Sequence, residues 1–204
     1  MSVLSDSDLI NVLQQSFCGE TVAMKRATDV LKTPGRVQSV QLLRLIDEPV
    51  TSIDVKTAAA IAFKNMIKEN WQTDPSQGGI PAQERSLIKQ RLVSLMLAQP
   101  AKQIQQTLSA AVGEIAAEDF PSDWVNLVPD LLSQITSPSA SFLERDGALQ
   151  TLASVVDKYR HAARSPEVLK ELKMILTPEL TNTHVEIFKW AVAKLVGNQI
   201  TATS

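Results

Sequence analysis

Aromatic residues and glycines are scarce in this sequence, and cysteine and histidine are scarcer still. Aromatics make up 4% of the chain and there are seven glycines, whereas β-sandwiches and β-barrels depend on aromatic packing and glycine turns. Cys18 is the only cysteine, so no disulfide can form within the chain and a multi-cysteine zinc cluster is excluded. These absences argue against an all-β fold and a disulfide framework, and they fit a reducing compartment.

The sequence also lacks a large excess of either positive or negative charge. Twenty Lys and Arg residues oppose 22 Asp and Glu residues, for a net charge of -2, and no long basic run provides the footprint of a nucleic-acid binder. The polar start of the chain lacks the pattern of a signal peptide, and no apolar run has the length of a membrane span. We therefore expect no nucleic-acid or membrane partner, and a place in the cytosol or nucleus.

Groups that would carry catalysis are not arranged for it. His161 and His184 lie far apart, with no carboxylate or thiol at metal-ligand spacing. Cys18 ends an apolar segment, which favours a small buried residue over a nucleophile, and the adjacent Glu118 and Asp119 would point apart on a helix. Phosphate loops, dinucleotide fingerprints and nucleophile elbows are absent from the sequence. The sequence predicts no enzyme, no catalytic residue, no cofactor and no metal site.

What the sequence does contain is helix-forming apolar mass. Hydrophobic residues make up 44% of the chain, mostly Leu, Ile, Val and Ala, and prolines fall between the periodic segments, near helix starts. The only generous loop is 72–80, and Pro129 is expected to kink or break the seventh helix. The predicted helices cover roughly 7–18, 21–33, 36–47, 53–70, 82–98, 101–118, 122–135, 140–160, 166–176 and 182–196.

Short links between these helices predict helical hairpins. The second helices start at about 21, 53, 101 and 140, a spacing near forty residues that is typical of HEAT or armadillo units. A hairpin cannot cover its own apolar face, so neighbours must stack. The predicted fold is all-α, an α-α superhelix of about five HEAT-type hairpins forming one solenoid over 1–204. A compact helical bundle is the alternative.

The helix predicted over 53–70 offers the first candidate surface for a partner. Lys64 and Lys68 lie one helical turn apart and form a pair of neighbouring positive charges, here called the basic ladder. Such a pair is commonly only a solvated face, but an acidic partner would relieve the repulsion between the two charges. Asn65 is expected to make an inward hydrogen bond. The predicted buried face is Val55, Ala59, Ala62 and Met66 with Phe63, and the predicted outward face is Thr57, Ala60, Lys64, Lys68 and Trp71.

Two further second helices would extend that surface. In a superhelix, the second helices of successive hairpins line the concave side and bind proteins through many modest contacts. The helix over 21–33 would bury Ala27, Val30 and Leu31, and the helix over 101–118 would bury Ile104, Leu108, Ala111 and Ile115. Their predicted outward residues are Lys25, Asp29 and Lys32 on the first, and Gln106, Ser109 and Gly113 on the second.

Several stretches resemble one known family. The alanine-rich helix that runs into Lys64-Asn65 and ends at Trp71 resembles the importin-β (karyopherin-β) N-terminal domain, over about 21–100. Later stretches are similar to the branch of that family that re-exports importin-α. The supporting stretches are 25–32 followed by Pro34-Gly35, 58–71, 88–100, 103–108, 118–121 with Trp124, and 158–161 with Arg164-Ser165.

This resemblance implies a carrier of nuclear transport. It implies that the second helices of the first three hairpins bind Ran in its GTP form, and that the full-length protein closes around importin-α and shuttles between nucleus and cytoplasm. Family members are several times longer than this chain, so cargo binding would need repeats beyond it. The alternatives are an importin-β-type carrier with another cargo, or a structural HEAT scaffold such as a phosphatase regulatory subunit.

Overall fold

The structure, a computed structural model, describes residues 2–157, whose regular elements are all helices joined by loops and turns. Within those residues there is no β-strand, and no helix is long and apolar enough to cross a membrane. The all-α prediction is confirmed for this part, while the helices predicted over 166–176 and 182–196 lie outside the described residues. The α-helices are α1 Asp6–Gln15, α2 Thr21–Lys32, α3 Ser39–Asp47, α4 Ile53–Asn70, α5 Ala82–Leu97, α6 Lys102–Asp119, α7 Leu127–Thr136 and α8 Phe142–Asp157.

The chain divides into two compact units, Met1–Glu118 and Asp119–Ser204. In the first unit, α1 packs on α2 and α3 packs on α4, which are the predicted hairpins. Across the hairpins, α1 also packs on α4, and α3 packs on α5. Because α4 touches both α1 and α3, its buried side is unusually wide, and this width decides which of its residues face solvent. The fully buried side chains at this centre include Leu9, Leu13, Leu42, Ile46, Phe63 and Ile67.

The starts of α1 and α4 are each capped by a serine side chain. The side chain of Ser5 accepts a hydrogen bond from the backbone N–H of Asp8, and that of Ser52 accepts one from the N–H of Val55. These oxygens satisfy N–H groups that have no partner within the helix. α5 starts after Pro81 as predicted. By contrast, Cys18 is exposed beyond the end of α1, so its predicted burial is wrong.

The long loop between α4 and α5 is folded tightly on itself. A short 3-10 helix, Pro75–Gln77, interrupts it, and Asp74 caps this helix by accepting from the N–H of Ser76. Arg85 of α5 donates from Nε to the carbonyl of Ile80 at 2.8 Å and from Nη2 to that of Thr73 at 3.1 Å. The Ser76 hydroxyl, and then the Ser76 N–H, hold the pKa of Asp74 below its usual value. The loop is therefore held by the first turn of the helix that follows it.

The second unit contains α7 and α8, which pack on each other. α7 starts at Leu127 rather than near 122 as predicted, because the chain first makes turns in which the N–H of Trp124 donates to the carbonyl of Asp119 at 3.1 Å. Pro129 consequently lies in the first turn of α7. Backbone N–H groups there have no partner within the helix, so the missing N–H of proline breaks no hydrogen bond. The predicted kink at Pro129 is therefore wrong.

A carboxylate contact ties the start of α1 to α3, and it makes stability depend on pH. Gln41 donates from Nε2 to Asp6 Oδ1 at 2.8 Å, and Arg44 donates from Nη2 to both Asp6 oxygens at 2.6 Å. The Gln41 amide, and then Arg44, outweigh partial burial and hold the pKa of Asp6 below its usual value. A carboxyl with a lowered folded pKa stabilises the fold above its unfolded pKa, about 3.9, and this contribution disappears as pH falls through the folded value.

We therefore expect Asp6→Asn to lower the melting temperature at neutral pH and to lose its effect in acid. Because the Asp6 and Arg44 side chains are 47% and 62% exposed, the expected loss at pH 7 is only about 2 °C. Thermal unfolding of both proteins between pH 7 and pH 3 checks this. A difference that stays constant down to pH 3 would show that the Asp6 contacts do not carry it.

Candidate partner-binding surface

The predicted outward residues of α2 do face solvent. Lys25, Asp29 and Lys32 are all exposed, and Ala27 on the opposite side is buried. Val30 and Leu31, which were predicted to be buried, are only half-buried. They keep some exposure because α2 is packed on one side by α1, while the side toward α4 is open.

On α4 the predicted outward position is confirmed for Lys68 and only in part for Lys64. Lys68 is exposed and Lys64 is half-buried, one helical turn away. Ile61 and Asn65 lie beside the two lysines on the groove side of α4, because residues three and four positions apart are neighbours on a helix face. Asn65 is exposed, so its predicted inward hydrogen bond is wrong. Lys64 and Lys68 therefore form a solvent-facing basic ladder bordered by Ile61 and Asn65.

Other residues of α4 lie differently from the prediction. Trp71 was placed with the lysines on the outward face, yet it is buried to 3% exposure. The chain turns back after α4, and the Arg85 guanidinium lies over the indole ring, 5.4 Å from its centre. Ala60 is buried as well, whereas Ala62 and Met66 are half-buried. The buried face of α4 is turned relative to the prediction because α1 and α3 both pack on it.

On α6 the prediction holds for Gln106 and is wrong for Ser109. Gln106 is exposed, but Ser109 has only 5% of its surface exposed. Ser109 continues a second buried row formed by Gln105, Val112 and Ala116, beside the predicted row at Ile104, Leu108, Ala111 and Ile115. A helix buried along two rows leaves only a narrow face for a partner, and Ser109 is not on that face.

A groove lies between α2 and α4, with a volume of about 260 Å³. Its lining is mostly apolar, with Leu31, Ala62 and Met66 forming the floor, and the exposed Phe17 also contributes to the lining. Of the predicted partner-binding residues, only Lys32 lines it, and Lys32 Nζ pairs with Glu69 Oε1 across the groove at 3.4 Å. The complete lining is Ser16, Phe17, Thr28, Leu31, Lys32, Ala58, Ile61, Ala62, Asn65, Met66, Glu69 and Asn70.

Sequence reasoning missed the groove residues that matter for this geometry. Ile61, Asn65 and Glu69 follow one another at four-residue spacing on α4, which is a periodic signal that places them on one face. Phe17 gives no such signal, since it lies in the turn after α1. In chemical terms, the surface offers positive charge beside an apolar groove, and among residues 2–157 no cluster of three or more His, Cys, Asp or Glu residues could hold a metal ion. This arrangement is suited to binding a protein surface.

Residues 32–98, from the end of α2 to the residue after α5, match the family described as Importin-beta N-terminal domain. The chain belongs to the karyopherin-β family. Exportin-2 of Drosophila melanogaster is 32% identical over 173 residues, which are 82% of this chain and 17% of the relative. Exportin-2 of Homo sapiens is 37% identical over 138 residues, which are 66% of this chain and 14% of the relative.

A solved structure supports the same assignment of this karyopherin-β chain. The structure described as the exportin Cse1 in its cargo-free, cytoplasmic state matches it with a TM-score of 0.74 and 27% sequence identity. The match covers 91% of this chain and 20% of that one. It confirms the predicted fold class of HEAT-type helical hairpins and the predicted relationship to exportins. The relatives and the solved structure are all named as exportins.

This karyopherin-β chain covers only a small part of its relatives. It spans about one-sixth of the curated relatives, 16% of the Xenopus laevis exportin-2 and 17% of the Drosophila protein. It corresponds to the N-terminal part of exportin-2, because the matching domain is the N-terminal one of the family. The prediction of a single solenoid over 1–204, with an importin-β-like region at about 21–100, stays a prediction.

Proposed function

We propose that this chain is the N-terminal part of a nuclear export receptor and binds Ran in its GTP form. The observation that carries the proposal is the basic ladder of Lys64 and Lys68 beside the α2–α4 groove. This ladder faces solvent and lies inside residues 32–98, the part that matches the importin-β N-terminal domain. The partner-binding surface is proposed to comprise Lys25, Asp29, Lys32, Lys64, Lys68 and Gln106.

The mechanism of this binding is non-covalent. Lys64 and Lys68 offer positive charge to acidic residues of Ran, and the apolar groove beside them receives an apolar side chain of the same partner. Charges at a solvent-facing interface steer association and set specificity, and salt screens them over about 10 Å at 0.1 M. Hydrolysis of GTP by Ran would change the partner's surface and release it, so this chain needs no catalytic group of its own.

The cargo proposed for the full-length protein is importin-α, returned from nucleus to cytoplasm as the carrier shuttles between the two. Support comes from the exportin-2 relatives, of which this chain covers about one-sixth. A carrier that closes around its cargo needs surface from many repeats, so we expect this chain alone not to hold importin-α. Cargo profiling of the full-length protein with and without GTP-loaded Ran distinguishes an exporter, which binds cargo more tightly when Ran is present, from an importer.

Preference for the nucleotide state of Ran tests the proposal directly. We expect this chain to bind Ran loaded with a non-hydrolysable GTP analogue at least about tenfold more tightly than Ran loaded with GDP, a difference of about 1.4 kcal/mol. Isothermal titration calorimetry of the two complexes at the same salt concentration measures it. Equal affinity for both forms would favour a general HEAT scaffold.

A further inference from the structure

The α2–α4 groove is bridged by an ion pair between its two walls. Lys32 is the last residue of α2, Glu69 lies in the last turn of α4, and Lys32 Nζ and Glu69 Oε1 are 3.4 Å apart. The two side chains are 57% and 49% exposed, so solvent reaches both charges. An anionic group that approaches Lys32 from solvent therefore meets Glu69 already bound to it.

The position of Glu69 in the last turn of α4 is electrostatically unfavourable for a carboxylate. The last turn of a helix carries unpaired carbonyl groups and a partial negative charge, which disfavour a carboxylate and favour a cation. Lys32 is suited to the end of α2 with or without Glu69, whereas Glu69 gains mainly from Lys32. An ion pair this exposed adds little to the stability of the fold. The pair can therefore open at small cost to the packing of α2 beside α4.

The rest of the groove indicates what could replace Glu69. Positive charge borders the groove at Lys32 on α2 and at the Lys64–Lys68 ladder on α4, while Leu31 and Met66 provide an apolar floor. The volume of about 260 Å³ is below the range of pockets that hold drug-sized ligands. It suits an apolar side chain of a protein whose neighbouring residues are acidic.

We propose that Glu69 is a specificity-determining residue of this surface. It occupies Lys32 until an acidic side chain of the partner takes its place, so it lowers the affinity for anionic partners and selects those that also fill the apolar groove. This inference deepens the proposed function and rests on it, since the acidic partner is taken to be GTP-loaded Ran. No bond is made or broken; one ion pair is exchanged for another.

The substitution Glu69→Gln tests the exchange. We expect it to tighten binding of GTP-loaded Ran about threefold in low salt, the effect of one solvent-exposed charge pair, and to steepen the salt dependence. Lys32→Gln is expected to weaken binding by a similar factor. In the Lys32→Gln background, Glu69→Gln should have little effect, because the charge that Glu69 masks is gone. If the Lys32–Glu69 ion pair only held α2 against α4, Glu69→Gln would weaken binding of GTP-loaded Ran instead of tightening it, and Lys32→Gln would weaken it as well.

A second probe separates this inference from the proposed function. The same variants are titrated with a fluorescent peptide that carries one leucine among glutamates, and melting temperatures confirm that each variant is folded. If wild-type protein shows no preference for GTP-loaded Ran, the proposed function fails and the peptide decides the role of Glu69. Tighter peptide binding by Glu69→Gln supports the exchange, and unchanged or weaker binding of both probes overturns it.

Discussion

Reversing the charge of Lys64 and Lys68 together is expected to weaken binding to GTP-loaded Ran by about 30-fold, or about 2 kcal/mol. Each substitution to glutamate removes an attraction to an acidic partner residue and adds a repulsion of similar size. The two side chains lie one turn apart on the solvent-facing stripe of α4, so both meet the same part of the partner. Calorimetric titration at low salt and at physiological salt measures the loss, which should shrink as salt increases.

Two control variants make this result specific to the ladder. Replacing both lysines with arginine keeps the charge, so affinity should change by less than about threefold. Arg91→Glu reverses one charge on the exposed side of α5, in the groove against α3, and should leave Ran binding near the wild-type value, unlike Lys68→Glu alone. Unchanged affinity in the Lys64→Glu, Lys68→Glu protein would show that this site assignment is wrong.

Gly79→Ala is expected to lower the free energy of unfolding by about 3 kcal/mol, the upper range for forcing an added methyl group into a packed site. A Cβ atom at Gly79 would lie 1.8 Å from the carbonyl oxygen of Thr73 and 2.5 Å from its carbonyl carbon. Both are backbone atoms, which cannot swing aside as a side chain does. The same Thr73 oxygen accepts the hydrogen bond from Arg85, so relief of the clash would also loosen the contact that holds the α4–α5 loop.

Gly35→Ala is the matched control for this loop substitution. Gly35 has a φ of +73° and nothing within 4 Å of the position its Cβ would take, so alanine there costs only backbone strain, about 1–2 kcal/mol. Urea unfolding of both variants gives their free energies of unfolding. The two values can be compared if the free energy falls with urea concentration at the same slope in both variants. If Gly79→Ala is no more destabilising than Gly35→Ala, the close approach to Thr73 does not constrain the loop.

Much of the first unit's helix pattern was predictable because the signals that set it are local. The apolar period predicts a helix over 53–70, and α4 is Ile53–Asn70. Proline punctuation likewise places the start of α5 after Pro81. The start of α7 was not predictable in the same way. The turns that precede it depend on a hydrogen bond from the backbone N–H of Trp124 to the carbonyl of Asp119, which no side-chain pattern encodes.

The partner surface was only partly predictable, because burial depends on how many neighbours a helix has. The outward prediction is correct for Lys68 and partly correct for the half-buried Lys64, since two charged residues one turn apart cannot both be buried without partners. Trp71, Asn65 and Ser109 were placed wrongly. A helical wheel assumes a single buried face, but α4 contacts two neighbouring helices and α6 is buried along two rows.

The sequence by itself therefore determined the all-α class, most helix boundaries in the first unit, and the basic ladder on α4, although α1 ends and α3 begins three residues away from the predicted positions. Those features follow from periodicity, capping and charge, which act within a few residues. Only the tertiary structure decided that Trp71 is covered by Arg85, and that Lys32 meets Glu69 across an apolar groove. The reason is that these contacts join residues distant in the chain, through packing that no local pattern specifies.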